Sequence, residues 1–369
     1  MSSSRPFAQL HILQEFARGA NIDPTFYMSR TVSNVISSIV FGDHFEYNNK
    51  EFLSLLGMIM RSFQFTATST GQVLPALGPD ADGCPPTVSS LTSQLFEMFH
   101  SVMNHLPGPQ HEAYKEMQGL EDFIARKVER NQCTLDPNSP RNFIDSFLIR
   151  MRKEKNPQTE FHMRNLLTTT LNLFFVGTET VSTTMRYSFL LLMKNPDIAA
   201  KMYEEIDQVI GRNRPPKYED HLKMPYTEAV IYEIQRFVDI IPFGVPRSTT
   251  KDTKFRDFLI PKGTDVFPIL SSVLKDPQFF SNPNDFNPQH FLDDKGQFKK
   301  SNAFVPFSIG KRYCFGENLT KMELFIFFTT ILQNFSFQSP QAPQDIDVSP
   351  RYAGFATIPQ RFTMSFLPC

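Results

Sequence analysis

A single cysteine, Cys314, lies in the ten-residue run from Phe307 to Gly316, and the residues around it suit a metal-bound thiolate. Such a sulfur must stay ionised beside positive charge and accept hydrogen bonds from backbone N–H groups. Gly310 and Gly316 allow tight turns close to a flat macrocycle, and Arg312 offers a planar cation suited to a haem propionate. Phe307 can shield the sulfur from water. The run predicts a haem thiolate, which favours O–O bond cleavage; the alternative is an ordinary buried thiol.

A second set of polar residues falls inside a predicted long helix, in the run Val176-Gly177-Thr178-Glu179-Thr180. A glycine inside a helix costs about 1 kcal/mol relative to alanine, which indicates a local use, such as letting a flat ligand lie against the backbone. Thr180 can donate a hydrogen bond to the carbonyl of Val176 and open a groove for oxygen or water. Glu179 and Thr180 could then deliver protons to bound oxygen. The alternative is a tolerated glycine beside a solvated threonine and glutamate.

A third pair, Glu233 and Arg236, has the i, i+3 spacing that makes two side chains neighbours on one helix face. By itself such a pair is usually a solvated surface bridge worth a few tenths of a kcal/mol. For Arg247 the alternative to a role in binding is a surface arginine after a strand.

Composition argues against several other classes of protein. The net charge of −1 and the pI near 6.7 give no strong basic field for nucleic acid. The four cysteines form no C-x-x-C pair, so neither a zinc site nor a disulfide framework is indicated. No apolar run near the start reaches the ~18–20 residues that span a bilayer. We therefore expect no membrane anchor in this chain.

The elements that must position these residues are mainly helical. The breaks at Asn156-Pro157 and Asn195-Pro196 predict one helix of about 35 residues, from near Thr159 to just before Asn195. The composition of the segment 73–94, which is rich in proline, predicts a loop or a disordered insert. The predicted class is mainly α with small β-sheets, α+β in type. The remaining predicted elements are helices within 20–70, with an apolar face through Val32, Val35, Ile36, Ile39 and Val40; helices over 197–209, 225–237 and 319–333; short strands within 240–270; and C-terminal hairpin strands.

The Cys314 run resembles the haem signature F-x-x-G-x-R-x-C-x-G of the cytochrome P450 family. The run Val176 to Thr180 is similar to the family's oxygen-binding motif [AG]-G-x-[DE]-T, with valine in place of alanine or glycine; we expect Val176 to tighten the distal pocket. From Gly19 onward the chain looks like microsomal family 2, subfamily 2A, the coumarin-hydroxylase type. This resemblance implies the cytochrome P450 fold, a haem b cofactor (iron protoporphyrin IX) and a monooxygenase that receives NADPH electrons through a reductase.

The same resemblance implies roles for individual residues. Cys314 would bind the iron, and Thr180 and Glu179 would be catalytic. Glu233 and Arg236 would be buried and structural, with His290 as the third member. Cofactor binding would fall to Arg312, Arg247, Phe307, Gly310, Gly316 and Gly177. Substrate contacts would be Phe63, Asn172, Phe175, Val176, Ile241, Val245 and Phe355, with Asn172 donating a hydrogen bond to a substrate carbonyl or ring nitrogen.

Two segments depart from the family. Residues 1–18 do not resemble it, which leaves 19–369 as the haem-thiolate domain, incomplete at its amino end. The composition of the insert at 73–94 differs from that of the chain around it and suggests the hypothesis of a translated intron. An alternative function is therefore a truncated, haem-poor variant with no catalytic activity, acting as an inert or interfering partner.

The resemblance also implies partners and a location. These are NADPH–cytochrome P450 reductase, cytochrome b5, small aromatic xenobiotic substrates and the membrane surface, with no nucleic acid. The implied location is the cytosolic face of the endoplasmic reticulum membrane, although the usual anchor is not recognised in the sequence.

Overall fold

The structure, a computed structural model, describes residues 21–69, 109–156 and 158–369. The segments 1–18 and 73–94 that the sequence sets apart lie outside these residues. The described residues fall into two compact units. The first contains residues up to Arg186, with 334–342 and 361–369; the second contains 187–333 and 343–360.

Helices make up most of the described chain, as the sequence predicts. Proline marks several starts, because its missing N–H has no helical partner in the first turn and its fixed φ suits that position. Pro196 and Pro225 begin helices in this way. The helices are α1 Thr25–Val40, α2 Lys50–Ser69, α3 Pro109–Cys133, α4 Phe143–Lys153, α5 Met163–Lys194, α6 Pro196–Val209, α7 Pro225–Val238, α8 Ser271–Leu274 and α9 Glu317–Asn334. Short 3-10 helices cover Tyr218–Lys223, Pro288–Phe291, Gly310–Arg312 and Pro343–Asp345.

The strands are short and pair in antiparallel twos, giving small sheets late in the chain. The pairs are β1 with β4, β2 with β3, β5 with β8, and β6 with β7. The strands are β1 Arg247–Ser248, β2 Thr253–Phe255, β3 Phe258–Ile260, β4 Asp265–Val266, β5 Phe335–Gln338, β6 Pro350–Ala353, β7 Thr357–Pro359 and β8 Ser365–Pro368.

These boundaries confirm the predicted elements and correct two details. The long helix α5 begins at Met163, later than the predicted start near Thr159. On α1 the predicted apolar face is only partly buried: Val32, Ile36 and Val40 lie in the core, whereas Ile39 is exposed. The buried side of α1 also carries polar residues, and the apolar pattern alone does not reveal this.

The core of the first unit packs α1, α3 and the first part of α5 through aromatic side chains. The ring of Phe41 meets Phe123 edge-on at 5.7 Å and Phe174 at 5.2 Å between centroids. Edge-to-face contacts of this kind are a favoured aromatic geometry. The carboxyl-terminal strand joins the same unit, because Ile22 and Met364 exchange backbone hydrogen bonds of 2.8 and 2.9 Å.

The core of the second unit is an aromatic cluster against α7. Tyr232 on α7 stacks on Phe304 with centroids 4.5 Å apart and meets Phe291 at 5.6 Å. Phe307 packs against this cluster. The segment just before Cys314 is therefore tied to the buried face of a helix.

Among the described residues, no helix combines the length and apolar character that crossing a bilayer requires.

Candidate functional site

The loop that carries Cys314 is closed by its own backbone. The N–H of Cys314 donates to the carbonyl of Phe307 at 2.8 Å, and the N–H of Glu317 donates to the carbonyl of Cys314 at 3.3 Å. Between them the chain turns through Gly310, whose φ of +73° lies in the left-handed region that favours glycine. Gly316 has no such φ, and a side chain there would meet the Cys314 sulfur at an ordinary 3.7 Å. The predicted tight turn is confirmed at Gly310 only.

Hydrogen bonds and charge act in opposite directions on the Cys314 sulfur. Although Cys314 is exposed as a residue, enclosure of its sulfur raises the pKa of the thiol above its ordinary value, and the hydrogen bonds from the N–H groups of Gly316 and Glu317 only partly offset this rise. The negative charge of Glu317 raises the pKa as well. Backbone donors aimed at a sulfur stabilise its thiolate form. The loop thus provides the two donors that thiolate ligation requires.

Arg247 is tied to the same loop and is not a free surface residue. Its guanidinium donates to the hydroxyl of Ser308 at 2.6 Å. Ser308 has a φ of +61°, which is uncommon for a residue other than glycine. Arg312 lies exposed in the 3-10 turn before Cys314. Both predicted propionate ligands therefore belong to segments that the second unit places at this loop.

The pair Glu233 and Arg236 is buried and fully hydrogen-bonded, so the surface-bridge alternative is wrong. Both side chains have zero exposure, and the guanidinium donates to both Glu233 oxygens at 2.7 Å. It also donates to the carbonyls of Leu274 and Pro283. Nδ1 of His290 lies 3.1 Å from Glu233 Oε2. The predicted three-membered cluster is confirmed, and it anchors α7 to the loop after α8.

On α5 the predicted hydrogen bond of Thr180 is present. Its hydroxyl donates to the carbonyl of Val176 at 2.9 Å. We expected Gly177, three residues before Thr180, to leave room for a flat ligand, but a side chain of α1 lies there instead. A side chain at Gly177 would come within 2.9 Å of Ile36 Cδ1 on α1. Gly177 therefore serves the close packing of α1 and α5, and its part in cofactor binding stays a prediction.

Glu179 is buried, which excludes the solvated alternative. Ser29 on α1 donates to its carboxylate at 3.4 Å. Burial raises the pKa of Glu179 to about 7, against smaller opposing effects from Arg186 and Ser29. A carboxyl with such a pKa is about half protonated at neutral pH and can both hold and release a proton.

The predicted substrate residues are found in both units. In the first unit, Phe63 is buried and its ring lies 6.1 Å from that of Phe175. Asn172 and Val176 are exposed and lie one turn apart on α5; the tighter pocket expected from Val176 stays a prediction. In the second unit, Val245 is exposed and Ile241 and Phe355 are partly buried. The backbone of Ile240 accepts from Thr357, which brings the Ile241 and Phe355 segments together.

A cavity of about 600 Å³ lies within the second unit, beside this last group. Its wall includes Asp239, Ser271 and Phe243, but not Ile241, Val245 or Phe355. Asp239 is buried with a φ of +47°, and its carboxylate accepts a short hydrogen bond from Ser271. The cavity therefore adjoins the segments that carry Ile241 and Phe355, but these predicted substrate contacts do not form its wall.

Several neighbours of the predicted residues were not found from the sequence. Ser29 touches Glu179, Ser308 touches Arg247, and Lys321 pairs with Glu317 at 2.6 Å. Only Lys321 carried a sequence signal, the i, i+4 spacing from Glu317 on one helix. The other two contacts join segments more than 60 residues apart.

The residues at Cys314 fit a haem group. The sulfur has two backbone donors, and the side chains beside it present an open apolar face: Ile309 and Phe315 are 66% and 78% exposed. Large apolar side chains seldom form such an exposed patch without a ligand or partner to cover it. The donor set and the apolar face together suit a flat, largely apolar macrocycle.

Comparison with known proteins identifies the family. The sequence matches the family model described as cytochrome P450 over residues 8–82 and 85–366. The match therefore includes parts of the two segments, 1–18 and 73–94, that depart from the family in the sequence analysis. It is 80% identical over 351 residues to cytochrome P450 2A8 of Mesocricetus auratus, covering 95% of this chain and 67% of that protein. It is 73% identical over 350 residues to cytochrome P450 2A3 of Rattus norvegicus, covering 95% of this chain and 66% of that protein.

Similarity to a human protein is nearly as high. The chain is 71% identical over 351 residues to cytochrome P450 2A13 of Homo sapiens, with 95% of this chain and 67% of that protein covered. The chain spans about two thirds of the length of these relatives. The haem signature, the buried Glu233–Arg236 pair and this level of identity agree: the chain belongs to the cytochrome P450 family.

Proposed function

We propose that this chain is a haem-thiolate monooxygenase that inserts one atom of O2 into small aromatic, xenobiotic or lipophilic substrates. NADPH would supply the electrons through a reductase. The observation that carries the proposal is the closed loop at Cys314, whose sulfur receives the N–H groups of Gly316 and Glu317. The similarity to cytochromes P450 of subfamily 2A supports it.

Cys314 would bind the iron through its sulfur, with Arg247 and Arg312 pairing with the propionates of haem b. The bound haem supplies activation of O2, favoured by electron donation from a thiolate ligand. Arg247 is already fixed by Ser308, which reduces the side-chain entropy lost on pairing. Phe307 would exclude water from the sulfur.

Glu179 and Thr180 would handle protons. The Glu179 carboxyl, with its pKa near 7, would hold a proton and release it at neutral pH. The Thr180 hydroxyl donates to the Val176 carbonyl and keeps lone pairs free to accept. Asn172 would donate its amide N–H to a substrate carbonyl or ring nitrogen, and the apolar residues near it would orient the substrate.

The proposed monooxygenase would act together with further partners, which the family resemblance implies. They are the NADPH-dependent reductase, cytochrome b5 and the membrane surface, with the cytosolic face of the endoplasmic reticulum as the location. The net charge of −1 supports the expectation that nucleic acid is not a partner.

The test is the absorption spectrum of the purified chain, reduced and exposed to carbon monoxide after expression with a haem precursor. We expect a strongly red-shifted Soret band, which reports thiolate ligation. Cys314→Ser should abolish that band, whereas Cys133→Ser, at another exposed cysteine, should leave it intact. A band at shorter wavelength, or none, would favour the haem-poor variant. An unchanged spectrum in Cys314→Ser would refute the ligand assignment.

A further inference from the structure

Lys321 connects three groups of the second unit that surround the Cys314 loop. Its ammonium nitrogen lies 2.6 Å from Glu317 Oε1. It also lies 5.0 Å from the ring centre of Tyr232 and 5.8 Å from that of Phe307. The side chain is only 12% exposed. Because cation–π contacts strengthen when the cation is desolvated, this low exposure favours the contacts with Tyr232 and Phe307, which add to the ion pair with Glu317.

Two of these three groups are bonded directly to the backbone of Cys314. The carbonyl of Phe307 accepts the Cys314 N–H, and the Glu317 N–H donates to the Cys314 carbonyl. The Glu317 N–H also contributes a hydrogen bond to the sulfur. A side chain that fixes Phe307 and Glu317 therefore fixes both ends of the segment that presents the sulfur. Tyr232 ties the same ammonium to the buried face of α7.

Charge gives a second reason for the lysine. Glu317 is bonded through its backbone N–H to the Cys314 carbonyl at 3.3 Å, so its carboxylate adds a negative charge close to the metal-binding loop. Two like charges near one another destabilise each other, and an opposite charge on one of them relieves this effect. Lys321 is the nearer cation to Glu317, since Lys300 lies 4.0 Å away and is 54% exposed.

We propose that Lys321 is a positioning residue for the metal-binding sulfur: it locks Phe307 and Glu317 beside Cys314 and neutralises the Glu317 carboxylate. The proposal rests on the function proposed above. It predicts two separable effects. One is on the order of the loop, with or without haem; the other is on the reduction potential of the bound haem, because unpaired negative charge near the iron disfavours its reduction.

The first measurement is hydrogen exchange of the Cys314 amide in haem-free protein. We expect Lys321→Met to accelerate this exchange about threefold or more, because the Phe307 carbonyl that accepts the amide is no longer fixed. Lys321→Arg should stay near wild type. Lys201→Met is the matched control, since Lys201 is exposed and its ammonium lies over Tyr226 at 5.7 Å. This readout does not require haem, so it separates failure of this proposal from failure of the proposed function.

The second measurement is the reduction potential of haem-loaded protein. Lys321→Met should lower the ratio of reduced to oxidised iron at a fixed potential by up to about tenfold, equal to ~59 mV for one electron. The double variant with Lys321→Met and Glu317→Gln should have a reduction potential near that of wild type. Its Cys314 amide should still exchange faster than in wild type. Glu317→Gln alone keeps the lysine and should raise the potential, so the charge effect remains testable even if Lys321→Met does not fold.

The proposal is overturned if Lys321→Met leaves both the amide exchange and the potential at wild-type values. It is also overturned if Lys201→Met shifts them equally. An unchanged potential in Glu317→Gln would remove its electrostatic part.

Discussion

Single residues in this chain gain their chemistry from the backbone and charges within a few ångströms. Cys314 shows this best: the sequence predicts that it is a ligand, but burial, two N–H donors and the Glu317 charge together set the pKa of its thiol. Glu179 is a similar case on α5. Burial, and not its place in a motif, moves its pKa to about 7.

The first prediction concerns Glu179. If its carboxyl delivers protons, Glu179→Gln should lower turnover by about 10²-fold, the lower end of the usual contribution of a general acid. Ser29→Ala should raise the pKa of Glu179 further, because the Ser29 hydrogen bond lowers it. The check is the pH profile of turnover in reconstituted enzyme, whose inflection near pH 7 should move upward in Ser29→Ala. Glu204→Gln, at an exposed carboxyl on α6, is the control and should leave the profile in place.

At two places in the structure, the packing of one helix against its neighbours depends on a single residue. The close approach of α1 to α5 at Gly177, and the attachment of α7 through Arg236, each depend on one side chain or on its absence. Both contacts are testable by stability measurements.

The second prediction concerns helix packing. Alanine is favoured over glycine in a helix by about 1 kcal/mol, but at Gly177 the added carbon would lie 2.9 Å from Ile36 Cδ1. Gly177→Ala should therefore stabilise wild-type protein less than it stabilises an Ile36→Ala background. Thermal unfolding of the four proteins in this double-mutant cycle measures the coupling. Equal effects in both backgrounds would show that the two positions do not touch.

The third prediction concerns the buried ion pair. Removing one partner of such a pair leaves an uncompensated charge and costs about 3–5 kcal/mol. Arg236→Met should lose that much stability because Glu233 has zero exposure. The matched control is Arg126→Met, since Arg126 pairs with Glu51 at an exposed site; it should cost below about 1 kcal/mol. Chemical denaturation compares them, and a similar loss in both would contradict the structural role of Arg236.

At the scale of the whole molecule, stability should respond to pH through a few buried acids rather than through net charge. Glu323 on α9 is buried, and among the described residues its oxygens have no hydrogen-bond partner. Burial raises its pKa from 4.5 to about 8. Glu179 shifts in the same direction in the first unit.

The fourth prediction follows from these shifts. Because the folded state binds the Glu323 proton more tightly than the unfolded chain, the free energy of unfolding falls as pH rises from about 4.5 to about 8. Glu323→Gln should flatten this dependence and raise the melting temperature at pH 8 more than at pH 5. Glu129→Gln, at an exposed carboxylate, should not change it. Melting curves at the two pH values decide the matter, and parallel shifts at both would argue against a buried neutral acid.

The sequence by itself determined the class, the order of most elements and which cysteine we propose as the metal ligand. Proline breaks and apolar periodicity are local signals, and they placed α5, α6, α7 and α9 to within a few residues. The haem signature and the i, i+3 spacing of Glu233 and Arg236 are also local. Each can be recognised along a continuous stretch of chain because its members are close in sequence.

Only the tertiary structure decided what surrounds these residues. It buried Glu179 beside Ser29, joined Arg247 to Ser308, filled the space at Gly177 with Ile36 and placed Lys321 among its three neighbours. Burial and hydrogen bonding depend on which distant segments fold against one another. The pKa of a carboxyl, the order of a loop and the use of a glycine therefore follow from packing, which no short sequence motif encodes.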